Sequence, residues 1–76
     1  MLWVSADVTV PLWRWNGMQG PEREAAREQA REKVRRAARV EGLVLEDDVP
    51  RVSEREVRGA VVLHAGSRAV REAARL

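Results

Sequence analysis

The chain has no cysteine, tyrosine, phenylalanine or isoleucine, a single histidine and a single lysine. Each absence removes a class of protein. Without cysteine there is neither a disulfide framework nor a thiolate metal site, and a reducing, cytoplasmic compartment is the expected setting. With His64 as the only imidazole, most zinc sites and most nucleophile–histidine–acid sets are out of reach. No apolar run approaches the roughly 18 residues of a membrane span. The apolar N-terminal stretch contains Asp7 and lacks a basic flank, so no signal peptide is expected. Neither a phosphate loop nor a dinucleotide fingerprint occurs, and no cofactor is expected. Seventy-six residues make one small domain, 1–76,.

What is present is biased. Arginine supplies 13 of the 14 basic residues, and alanine and valine together supply 23 of the 34 hydrophobic ones. Both biases follow GC-rich codons, although arginine also serves phosphate and carboxylate recognition. The net charge is only +2, and it is dispersed: neutral over 1–20, +2 over 21–42, −3 over 43–56 and +3 over 57–76. No segment carries the concentrated basic block that phosphate binding leaves.

Period two over residues 1–13 predicts a strand. Leu2, Val4, Ala6, Val8, Val10 and Leu12 form its apolar face; Ser5, Asp7 and Thr9 are polar, and Trp3 shares their side. Pro11 cannot donate to a ladder and marks a strand end, a bulge or a sheet edge. Asn16 to Gly20 read as a loop. A helix is predicted over 21–41: Pro21 opens it, Glu22 and Glu24 lie in its positive first turn, Arg35, Arg36 and Arg39 near its negative end, and Gly42 stops it,. Its apolar stripe is Ala26, Ala30, Val34 and Ala37, with Ala38 and Val40 at the margins. The opposite face offers the pairs Glu28–Arg31, Glu32–Arg35 and Glu32–Arg36, each worth a few tenths of a kcal/mol. Residues 43–50 are a connection in which Glu46, Asp47 and Asp48 lack calcium-loop spacing and read as an acidic turn,.

The remainder supports two readings. In one, 51–57 and 60–70 are strands joined by a turn at Arg58-Gly59, and Val61-Val62-Leu63 is the β-favouring core,. In the other, Ser53 and Glu56 form a capping box, Gly66 breaks two helices, and 53–76 is a helix-turn-helix. The first strand needs partners for its backbone groups, so the hairpin is the expected arrangement. The fold class is then α+β: β-α-β-β, one long helix on a three-stranded antiparallel sheet, with a short C-terminal tail.

Catalysis would need Ser5, Thr9, Ser53 or Ser67 to act with His64, and no flanking motif supports such a set. The chain is expected not to be an enzyme. If 53–76 is helical, Arg68, Arg71 and Arg75 share one side and track a phosphate backbone, which is the DNA-binding alternative. The most unusual feature is Trp13-Arg14-Trp15. On a strand, both tryptophans project to one side and Arg14 to the other, surplus to an apolar row that is already complete. They either cover the sheet end or form a binding hot spot, in which Trp and Arg are enriched. The expected function is a non-catalytic module that binds another protein through Trp13, Arg14 and Trp15. A small core with an alanine-rich helix face also leads us to expect a homodimer, built through strand 1–13 or the second face of the sheet. In element order and in its Arg/Ala-rich helix, the chain resembles the small uncharacterised proteins of high-GC bacteria and their phages. That resemblance rests on texture, implies no activity and carries over no functional residue.

Overall fold

The computed structural model describes residues 2–72. The elements follow in the order β1 (Leu2–Pro11), α1 (Leu12–Gly17), α2 (Gly20–Glu41), β2 (Leu43–Leu45), β3 (Arg51–Val57) and β4 (Ala60–Arg71). The protein is α+β, with one long helix on an antiparallel sheet. β4 is the sheet's middle strand: β1 pairs along one side of it, and β3 and β2 follow one another along the other. The sheet thus has four strands rather than three, because the connection after α2 contributes β2.

Alternation decides which side chains meet the helix. Val4, Val8 and Val10 of β1 and Val61, Leu63, Ala65 and Ala69 of β4 are buried on one face, against Ala26, Ala30, Val34 and Ala38 of α2. The helix stripe steps by four residues, so Ala38 rather than Ala37 completes it, and Val40 stands 82 % exposed. Alanine removes little apolar area from water, but it lets the helix backbone lie close to the sheet.

The helix termini follow local rules. Gln19 is the N-cap, and its backbone N–H donates to Glu22 Oε1 at 3.1 Å, which satisfies one of the first-turn donors. Gly42 closes the helix in the left-handed region at φ 69°, where glycine carries no Cβ penalty. Along the charged side, Arg31 bridges Glu24 and Glu28, and Arg35 bridges Glu28 and Glu32. The expected Glu28–Arg31 and Glu32–Arg35 pairs form; Glu32–Arg36 is not among the ion pairs of the described residues. Hydrogen bonds from Arg31 and Arg27 hold the Glu24 carboxyl below its ordinary range, and those from Arg35 and Arg31 do the same for Glu28. Arg27 also reaches Glu54 at 2.5 Å, tying α2 to β3.

The two-helix reading of 53–76 is overturned across the described residues. Arg58 and Gly59 both have positive φ, 48° and 77°, the requirement of the two-residue turn that matches strand twist. Val57↔Ala60 through Arg51↔Gly66 then pair in register. Opposite Ser67 and Arg68 the third column of the sheet breaks. There residues 46–50 loop out, the Glu46 N–H donates to the Arg68 carbonyl at 2.9 Å, and the Ser67 hydroxyl donates to Asp47 Oδ2 at 3.2 Å. The acidic turn thereby supplies a second acceptor for a fully buried serine, whose hydroxyl also lies 3.0 Å from the Arg68 carbonyl.

Strand β1 ends two residues earlier than its period-two pattern predicts. Its last pair is Pro11↔Ala60, and beyond Ala60 the neighbouring strand has already turned at Gly59. Residues 12–15 have no ladder to join. The Leu12 N–H instead donates to the Gly59 carbonyl at 2.9 Å, and the chain coils into α1, leaving only Met18 and Gln19 between the two helices.

Candidate binding surfaces

The change from strand to helix reverses the geometry of the tryptophan pair. Residues two apart share one side of a strand, but on a helix they stand about 200° apart. Trp15 is 7 % exposed and belongs to the core, whereas Trp13 is 78 % exposed. The expectation that both project to one side is therefore corrected; the cause is the missing ladder partner beyond Ala60. Arg14, between them, is also exposed. Trp15 is held firmly. The Arg23 guanidinium donates through Nε and Nη2 to the Trp15 carbonyl at 3.2 and 3.0 Å, and its carbon lies 4.9 Å from the centroid of the Trp15 ring, within cation–π range.

Among the described residues no element covers the sheet face opposite α2. Register places Trp3 beside Arg68, Ser5 beside Gly66, Asp7 beside His64 and Thr9 beside Val62, while Arg51, Ser53 and Arg55 stand across β4 from Gly66, His64 and Val62. The Trp3 indole lies over Gly66, where a Cβ would meet its Cζ2 at 2.4 Å, and Trp3 remains 57 % exposed. A cleft of about 360 Å³ beside it is lined by Trp3, Arg51, Arg68, Glu46 and Asp47. Sequence reasoning does not single out Trp3, Arg51 and Arg55 as one surface. Their strand parity is legible, but their common face appears only once β1 and β3 are known to flank β4.

His64, expected in or beside the core because it follows Val61-Val62-Leu63, stands outside it. Leu63 points inward, so its neighbour points outward, with its side chain half exposed. Asp7, His64 and Ser53 form one row across three strands, and His64 Nδ1 lies 2.5 Å from Asp7 Oδ1. A cleft of about 300 Å³ on this row is lined by Asp7, Ser53, Arg55, Val57, Val62 and His64. The order acid–histidine–serine is that of a hydrolytic triad, but the Ser53 hydroxyl donates to the His64 backbone carbonyl at 3.5 Å rather than to the imidazole. Among the described residues no cluster of three or more metal-ligating side chains occurs.

The arginines of the DNA-binding alternative separate. Three apart on a strand means opposite faces: Arg68 lies on the open face, and Arg71, at the end of β4, has the parity of the helix side. Arg75 lies outside the described residues. The two routes expected for a homodimer also differ. The free edge of β1 is obstructed: Lys33 Nζ donates to the Asp7 carbonyl at 3.3 Å, and Pro11, of the same parity, lacks an N–H. Both are devices that blunt a sheet edge. The second face of the sheet is open.

Compared with protein-family models, curated proteins and solved structures, the chain matches none. Among the described residues no helix is long and apolar enough to cross a membrane.

Proposed function

We propose that the chain is a small, non-catalytic module that binds another protein, with Trp13 as the contact residue, Arg14 beside it and Trp15 as the anchor that fixes both. The observation that carries this reading is the contrast between the two tryptophans: Trp13 is 78 % exposed and Trp15 is 7 % exposed on one short helix. An indole left in water on a rigid element loses little conformational freedom when it enters a partner's pocket, and Trp and Arg dominate interface hot spots. The non-catalytic part is supported by Ser53, whose hydroxyl is directed to a backbone carbonyl. The cysteine-free composition favours a cytoplasmic setting,. Wild type and Trp13→Ala used as baits in parallel test the reading. A partner held by wild type should be lost from Trp13→Ala at a cost of about 2 kcal/mol or more, roughly thirtyfold in affinity, while both baits melt at the same temperature. A partner retained by Trp13→Ala, or none held by wild type, would overturn it.

A further inference from the structure

The open face of the sheet plays no part in the Trp13 reading, and its chemistry is different. Its centre is polar and its flanks carry arginine. Ser5, Asp7, Thr9, His64, Ser53 and Val62 are flanked by Arg51, Arg55 and Arg68, all three exposed. These arginines pair with no carboxylate among the described residues, whereas Arg27, Arg31 and Arg35 on the helix side are each paired with glutamates. Within the row, Asp7 is turned toward His64. Asp7, Glu46 and Asp47 equal the three arginines in number along the same clefts, so what the face offers phosphate is three unpaired guanidiniums rather than a net positive charge.

We propose that this face binds single-stranded nucleic acid, with a base stacked on the Trp3 indole and the phosphates contacted by Arg68, Arg51 and Arg55. Because residue 66 has no Cβ, the indole rests against the strand there, with more than half of the residue in solvent. Such a platform is sequence-tolerant, since every base has a stacking face. From the row of Arg68 to the row of Arg55 is about 20 Å of strand at roughly 3.3 Å per residue, a length suited to a short single-stranded site. Glu46 and Asp47 line the Trp3 cleft together with Arg51 and Arg68. A duplex fits poorly: its bases are already stacked, and this face has no helix to enter a groove.

Fluorescence anisotropy with labelled oligo-dT and oligo-rU of about twelve nucleotides, and with a duplex of equal length, tests the proposal on the full chain. Both single strands, or one of them, should bind at about 50 mM salt more tightly than the duplex, and about three phosphate contacts predict a roughly twentyfold loss of affinity by about 200 mM. Trp3→Ala should weaken binding about five- to 150-fold, with Trp3→Phe restoring part of it. Arg55→Glu and Arg68→Glu should weaken it further. Arg36→Glu and Trp13→Ala should leave it unchanged, so failure here is distinct from failure of the Trp13 reading. Circular dichroism confirms that each variant is folded. Three results would overturn the proposal: no single-strand binding at the low salt, duplex binding that Trp3→Ala does not change, or sedimentation showing a dimer that Arg55→Glu with Arg68→Glu dissociates. The last would assign the face to a second copy of the chain.

Discussion

The indole of Trp3 occupies the space that a side chain at Gly66 would fill: a Cβ there would lie 2.4 Å from Trp3 Cζ2 and 2.8 Å from Cε2. Gly66 does not have a positive φ, so its backbone accepts any residue, and the requirement for glycine comes from the ring alone. Gly66→Ala should cost about 1–3 kcal/mol by overpacking. In a Trp3→Ala background the sign should reverse, to a gain of up to about 1 kcal/mol, because alanine is otherwise better than glycine within a strand. Urea denaturation of the four members of that double-mutant cycle measures the coupling; additive effects would show that the ring does not hold its place over Gly66.

The two tryptophans of α1 should differ sharply in their effect on folding. Trp15→Ala removes a core ring together with its Arg23 contact and should cost about 3–5 kcal/mol, a large part of the stability of a domain this small. Trp13→Ala should stay within about 0.5 kcal/mol of wild type. Thermal melts of the two variants are sufficient, and a comparable loss for both would place Trp13 in the fold rather than at a binding surface.

The β3–β4 turn holds a non-glycine residue in the left-handed region, Arg58 at φ 48°. Asparagine tolerates that conformation better, and Asn-Gly is the favoured pair for this turn. Arg58→Asn should raise stability by about 0.5–1 kcal/mol, whereas Gly59→Ala, at φ 77°, should lower it by more than that. Denaturant midpoints at constant m-value give both signs.

Acid should loosen the helix ladder. Hydrogen bonds from Arg31 and Arg27 hold Glu24 below the ordinary value of 4.5, and those from Arg35 and Arg31 hold Glu28 below it. A carboxyl depressed in the folded state stabilises the fold above its unfolded value and ceases to do so as pH falls through its folded value. Melting temperature should therefore fall as pH drops below about 4.5. Glu24→Gln with Glu28→Gln should melt lower than wild type at neutral pH and lose less on acidification. The difference should be small and should shrink in salt, because both carboxylates face solvent. An acid dependence identical to that of wild type would show that the ladder contributes nothing.

Much of the fold is legible because it is local. Pro21 and Gly42 bound α2 through backbone requirements that operate within a few residues, and Arg58-Gly59 selects the turn that lays β3 beside β4. Alternation also fixes which side chains of β1 turn inward. The contact surfaces were much less legible. Trp13, Arg14 and Trp15 continue a strand pattern in sequence, and the pattern fails only because β4 offers β1 no partner beyond Ala60. A strand without a neighbour leaves its backbone groups unpaired, so the chain forms a helix there, and the two rings that would have stood side by side point apart. In the same way, the parity of Trp3 and Arg68 can be read from the chain, but the register between β1 and the distant β4 is what sets an indole over a glycine and puts it on the face that Arg51 and Arg55 of β3 share. Local sequence specifies turns, caps and alternation because their energies depend on neighbours. Where a strand stops and what it stands beside depend on backbone hydrogen bonds to distant segments, which only the assembled sheet supplies.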